Sequence, residues 1–128
     1  MTQEDLPSRY CSYIDCLNRR DWSRLGNFVS DGARYNGEVI GLAGYRSMLE
    51  RDVAAIPDLV FNVDFLVTDP PFIGARLLFD CTPVGKLFGL PVYGKRIAFT
   101  ENVFYRFADG KIDAVWSVID QAAIRAQL

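Results

Sequence analysis

The feature that most constrains this chain is a change of hydrophobic period at Pro57. Before it, apolar residues recur at helical spacing; from Leu59 onward they alternate. Leu6, Tyr10, Tyr13, Ile14 and Leu17 share one face of a predicted first helix, with Asp5 as its N-cap and Arg19-Arg20 near its end. Asp21 is placed to cap a short second helix that presents Trp22, Leu25 and Phe28. Asp31-Gly32 reads as a turn into a short extended piece over residues 33–38. Leu42, Tyr45, Leu49, Val53 and Ile56 form the stripe of a third helix. Pro57 stops it, because proline lacks an N–H and clashes with the preceding turn.

Beyond Pro57, Leu59, Phe61, Val63, Phe65 and Val67 alternate with Val60, Asn62, Asp64 and Leu66, the pattern of a half-buried strand. Asp69-Pro70-Pro71 is a turn. A second strand covers residues 72–82, with Ile73, Ala75, Leu77, Phe79 and Cys81 inward and Arg76 and Asp80 outward. Residues 85–94 read as a loop or wide bend. Two long strands follow, 95–107 and 111–120, joined by the hairpin turn sequence Asp109-Gly110. Helices first and antiparallel strands afterwards is the α+β pattern, with three N-terminal helices packed on one face of a strongly curved, mainly antiparallel sheet.

With 128 residues, half of them hydrophobic, and no linker or repeat, residues 1–128 are expected to form a single domain with a buried core. Lys and Arg total 14 against 16 Asp and Glu, a balance that argues against a nucleic-acid partner. No run approaches the roughly 18 uncharged apolar residues of a membrane helix. The opening Met1-Thr2-Gln3-Glu4-Asp5 is acidic where a signal peptide would be basic, so a cytoplasmic location is expected. The chain has no histidine, which removes Ser-His-Asp and Cys-His chemistry and every His-ligated metal site. Cys11, Cys16 and Cys81 are odd in number and contain no Cys-x-x-Cys pair, so they read as reduced thiols used as small hydrophobes. Proton chemistry in such a chain falls to carboxylates or tyrosines.

Two carboxylates stand out in the last hairpin. Ile97, Phe99, Val103, Tyr105 and Phe107 define the inward face of its first strand, and Glu101 shares it. Regular alternation in the partner strand turns Ile112, Ala114, Trp116 and Val118 inward, with Asp120 at the same parity. A turn that pairs Ala108 with Lys111 then sets Trp116 opposite Val103, Val118 opposite Glu101 and Asp120 opposite Phe99. In that register Glu101 and Asp120 are diagonal neighbours about 7–8 Å apart. Two acids on one apolar face raise each other's pKa, which is how a carboxylate comes to shuttle protons near neutral pH. Two plainer uses stay open: Asp120 as a cap on the turn that follows, and Glu101 as an arginine partner. Tyr13, Trp22, Tyr35, Phe99, Tyr105 and Trp116 are candidate substrate-binding walls, with core packing as their alternative.

The last third also resembles a known family. Gly85-Lys86-Leu87-Phe88-Gly89-Leu90-Pro91 followed by Gly94-Lys95-Arg96-Ile97 is similar to a stretch of SnoaL-like polyketide cyclases. So are the hairpin from Tyr105 to Ile112 and the ending Trp116-Ser117-Val118-Ile119-Asp120-Gln121. The resemblance implies a cone-shaped α+β barrel of the nuclear transport factor 2-like superfamily, with helices covering a bent sheet around a pocket. It implies a homodimer through the outer sheet face, and no metal or organic cofactor. It also implies that Asp120 matches the general acid/base of an intramolecular aldol ring closure. One element departs from the pattern: polyketide cyclases often carry a T-H-x-G histidine where this chain reads Thr82-Pro83-Val84-Gly85.

The expectation is therefore a cofactor-independent cyclase or isomerase acting on a small hydrophobic carbonyl compound. Asp120 and Glu101 would be its catalytic acids. The alternatives are a non-catalytic small-molecule binding protein of the same fold and a dimerisation module with a filled core.

Overall fold

A computed structural model describes residues 5–128; the rest of the acidic opening run lies outside the described residues. Helix α1, Leu6–Asn18, begins where expected: the Asp5 side chain accepts the Ser8 N–H at 2.8 Å, satisfying a donor that the first helical turn leaves free. The segment after Asp21 is a short 3₁₀ helix, Trp22–Asn27. Strand β1, Val29–Tyr35, starts earlier than the sequence suggested, and Asp31-Gly32 lies inside it as an irregularity in the ladder rather than as a turn before it. A short β2, Glu38–Val39, returns through Asn36-Gly37, and α2, Gly41–Ala55, ends just before Pro57.

Four longer strands complete the sheet: β3 Asn62–Asp69, β4 Phe72–Cys81, β7 Ile97–Ala108 and β8 Lys111–Ile119. Between β4 and β7 lies a small separate hairpin, β5 Lys86–Leu87 with β6 Leu90–Pro91. The six-stranded sheet runs β2-β1-β8-β7-β4-β3. All its pairings are antiparallel except β1 with β8, which is parallel. The chain closes with α3, Gln121–Ala126. The α+β architecture is as expected: the three anticipated N-terminal helices are α1, the 3₁₀ helix and α2, and one further short helix, α3, follows the sheet.

One sheet face and the helices enclose the core. Tyr10, Tyr13 and Leu17 of α1, Tyr45 and Leu49 of α2, and Ile73, Leu77, Val103 and Tyr105 of the sheet are all buried. Each fully buried aliphatic side chain contributes roughly 1.5–3 kcal/mol. The other sheet face carries Phe65, Val67, Phe72, Phe104, Trp116 and Val118, all exposed.

Two strands depart from the alternation expected of them. In β3, Val63 pairs with Leu77 but Phe65 pairs with Arg76, so Asp64 is an extra residue. In β8, Ile112 pairs with Phe107 but Ala114 pairs with Arg106, so Asp113 is an extra residue. Each bulge reverses which side chains face the core beyond it. Each bulge aspartate also meets the arginine at that step of the neighbouring strand. Arg106 holds Asp113 through two bonds of 2.8 and 2.9 Å, and Arg76 lies 3.7 Å from Asp64.

Candidate functional site

The β8 bulge decides which polar groups reach the interior. Val103 faces Ser117 and Glu101 faces Ile119, one step away from the expected pairing. Beyond Asp113, Val115, Ser117 and Ile119 point toward the core, while Trp116, Val118 and Asp120 point away. The expectation that Glu101 and Asp120 share one enclosed face is corrected by this slip. Trp116 is likewise not a pocket wall; it is 42% exposed on the outer face, opposite Phe104.

Glu101 is inward and half-buried between Phe99 and Val103 on β7. The Ser117 hydroxyl donates to its carboxylate. Burial pushes the Glu101 pKa up, the Ser117 hydrogen bond partly offsets this, and the negative charge of Asp52 pushes it up further. Ser117 is itself clasped: its N–H donates to the Asn36 side chain at 2.9 Å, and the Asn36 amide donates to its carbonyl at 3.4 Å. Tyr35, at the end of β1, is half-buried against the same group. Burial raises its pKa, a hydrogen bond with Ser117 lowers it, and the charges of Glu101 and Asp52 raise it again.

Asp52 enters this cluster from α2. It follows buried Leu49 by three residues and precedes buried Ile56 by four, so it borders the helix face that packs inward, while remaining exposed itself. Its side chain still reaches water at the rim, yet the surrounding protein disfavours its charged form and pushes its pKa up to about 6.

Behind Glu101 lies a layer of tyrosines. The Tyr10 hydroxyl donates to that of Tyr105 at 3.2 Å, and the hydroxyls of Tyr13 and Tyr45 are 2.6 Å apart. Burial drives all four phenols well above their ordinary pKa, so they are neutral hydroxyls at any physiological pH. Phe99 is buried and stacked on Phe79, with ring centroids 5.1 Å apart. Tyr13, Tyr35, Phe99 and Tyr105 therefore all lie on the enclosed side with Glu101. Trp22 does not join them. It lies half-buried in the 3₁₀ helix and borders an open groove with Ile40, Leu42 and Arg46.

Asp120 has the plainer of its two anticipated uses. It is exposed, it is the N-cap of α3, and its carboxylate accepts the Ala123 N–H at 3.0 Å. It also borders an open groove of about 570 Å³ with Arg76, Leu78, Ala98, Thr100 and Phe99. Glu101 does not line that groove.

Sequence reasoning missed Ser117, Asp52 and the Asn36 clasp. Asp52 had a readable signal, as an acid bordering an otherwise apolar helix stripe. For Ser117 the signal was fainter: the adjacent apolar pair Ala114-Val115, which a regular half-buried strand does not need. Among the described residues no group of three or more His, Cys, Asp or Glu side chains gathers as metal ligands do. No described helix is long and apolar enough to cross a membrane.

Comparison with known proteins places this geometry in context. Residues 9–128 match the family described as SnoaL-like polyketide cyclase. No curated protein matches the chain. Among solved structures, it is similar to a SnoaL-like polyketide cyclase from Agrobacterium tumefaciens. The two share 47% identity over 98% of each chain, with a TM-score of 0.96. IdmH from Streptomyces antibioticus shares the fold at 20% identity, over 96% of this chain and 98% of that one, with a TM-score of 0.82. AclR from Streptomyces galilaeus does so at 21% identity, over 94% of this chain and 92% of that one, with a TM-score of 0.77.

Proposed function

The chain belongs to the SnoaL-like polyketide cyclase family, and we propose that it is a single-domain, cofactor-independent cyclase or isomerase in which Glu101 is the general acid/base. The observation that carries this reading is an acid on the apolar inner face whose charged form is disfavoured by burial and whose direct side-chain partner is a hydroxyl. Such a carboxylate takes up a proton more readily than a solvated one. It would remove a proton alpha to the carbonyl of a small hydrophobic substrate and return it to the developing alkoxide. Ser117 and Tyr35 are hydroxyl donors within the same cluster, and Phe99, Tyr13 and Tyr105 supply the aromatic side. The outer apolar row from Trp116 and Phe104 to Val67, with the family resemblance, supports a second copy as its cover.

A second reading keeps Asp120 as the acid. It is favoured by the groove that Asp120 borders with Phe99, whose volume of about 570 Å³ suits a small molecule.

Deuterium uptake at the alpha carbon of 2-tetralone, a flat carbonyl probe, separates the two by NMR in D₂O. Wild-type protein is expected to accelerate exchange, and Glu101→Gln to lose that acceleration by about 10²–10⁴-fold. Asp120→Asn, which preserves the cap, is expected to retain it. Loss in Asp120→Asn with retention in Glu101→Gln would establish the second reading. Absence of catalysed exchange, with the probe bound, would favour a non-catalytic binding protein.

A further inference from the structure

We propose that Asn36 is a positioning residue for the Glu101 acid: its side-chain amide holds the Ser117 backbone so that the Ser117 hydroxyl bears on the Glu101 carboxylate. This rests on the reading of Glu101 as the acid of the site and adds the residue that orients its partner.

Strand β8 needs such a device because one of its two neighbours gives out. The parallel pairing of β1 with β8 ends at Tyr35–Val115, and the Asn36 N–H adds one last bond to the Val115 carbonyl at 2.8 Å. Asn36 (φ 48°) and Gly37 (φ 88°) then take left-handed backbone and turn the chain away into β2. Ser117 lies two residues further along β8, opposite Val103 of β7. Its N–H and C=O point to the side that β1 has left, and leaving both without partners in a half-buried strand is costly. The Asn36 amide supplies both partners, accepting the N–H at 2.9 Å and donating to the C=O at 3.4 Å. One side chain thus stands in for the missing strand residue. With β7 on one edge and Asn36 on the other, the Ser117 side chain is aimed inward. There its hydroxyl meets Glu101, its diagonal neighbour on β7.

The same kind of clasp occurs at two other places. Asn18, at the end of α1, accepts the Phe61 N–H at 2.8 Å and donates to its C=O at 3.0 Å. Gln127 does so for Ala98, at 2.9 and 2.6 Å. Phe61 and Ala98 have apolar side chains, so those clasps finish open edges of the sheet without orienting a polar group. Of the three, Asn36 alone holds a residue whose side chain bonds to the acid.

Asn36→Gly removes the amide while suiting the left-handed backbone, and Asn18→Ala removes a clasp of the same kind elsewhere. Both keep every ionisable group that acts on or feels Glu101, namely the four buried phenols, Tyr35 and Asp52, and both keep the exposed Arg34 beside Tyr35. A ¹³C-carboxyl NMR titration follows the Glu101 midpoint. Asn36→Gly is expected to raise it by about half or more of the rise that Ser117→Ala produces, and to leave it unmoved in a Ser117→Ala background. Asn18→Ala is expected to leave it unmoved. With 2-tetralone, Asn36→Gly is expected to lower kcat for exchange by about ten- to a hundredfold, with KM within about twofold.

A Glu101 midpoint that Asn36→Gly leaves in place would overturn the proposal. So would an equal rise in the Ser117→Ala background or in Asn18→Ala, since either shows a loosening that does not pass through Ser117. In the wild type alone, a Ser117 N–H that exchanges with D₂O as fast as an open amide would overturn it as well. The expected midpoint shifts in a protein that catalyses no exchange would defeat the acid/base reading and leave the positioning of the carboxylate standing.

Discussion

The β4–β7 pair and the β7–β8 hairpin are both antiparallel and share a strand, yet they treat their sequence differently. From Phe72–Arg106 to Cys81–Ile97, β4 and β7 pair through ten consecutive steps without a break. Ile73, Ala75, Leu77, Phe79 and Cys81 all fall inward, as simple alternation requires. The β7–β8 hairpin starts in the expected register at Ala108–Lys111 and leaves it within a few residues, at Asp113. One extra residue then exchanges Trp116 and Asp120 for Ser117 on the inner face. The unbroken ladder builds the core; the broken one selects the chemistry.

Single-residue deletions give the largest expected contrast between these regions. Removing Leu78 from β4 turns one half of the strand inside out, and a loss of more than about 4 kcal/mol is expected, seen as loss of a cooperative thermal transition. Removing Asp113 should be tolerated at about 1–3 kcal/mol, because it leaves Ala114 opposite Arg106 and Ser117 inward in a regular ladder. Had β8 alternated regularly, this deletion would instead throw Trp116 and Val118 out of the core.

Gly74 sharpens the comparison on the outer face. A Cβ there would meet the Phe104 ring at 2.9 Å and Val67 at 3.2 Å. Gly74→Ala should therefore cost about 1–3 kcal/mol by denaturant titration and displace Phe104 from the apolar row.

A smaller, pH-dependent effect belongs to Asp52. Its folded pKa of about 6 lies above its ordinary 3.8, so the unfolded chain releases this proton more readily. Stability therefore falls as pH rises through that window and levels off above it. Asp52→Asn should melt progressively higher than wild type between about pH 4 and 6, with a constant advantage beyond, as read by Tm across pH.

Where local rules were consistent with one another, the fold was legible in the sequence. The Asp5 cap, the stop before Pro57, the β4 pattern and the Asp109-Gly110 turn all follow from propensity and period. Glu101 was legible for the same reason: it interrupts a regular inward row. Asp120 was misplaced because parity was carried through Asp113, and no alternation argument marks a bulge that its own arginine stabilises. Phe65 and Val67 were misplaced in β3 by the same device at Asp64. Helix α3 was too short to announce itself; only its cap was visible.

The central claim is that the slipped register aims Ser117 at a Glu101 held neutral more easily than an ordinary glutamate. A ¹³C-carboxyl NMR titration of Glu101 in the wild type and in Ser117→Ala tests it most directly. The Glu101 midpoint should lie above the ordinary 4.5 and rise further in Ser117→Ala, because the hydroxyl that stabilises its charge is gone. A midpoint at or below 4.5, or one that Ser117→Ala leaves unmoved, would contradict both the register and the role assigned to this acid.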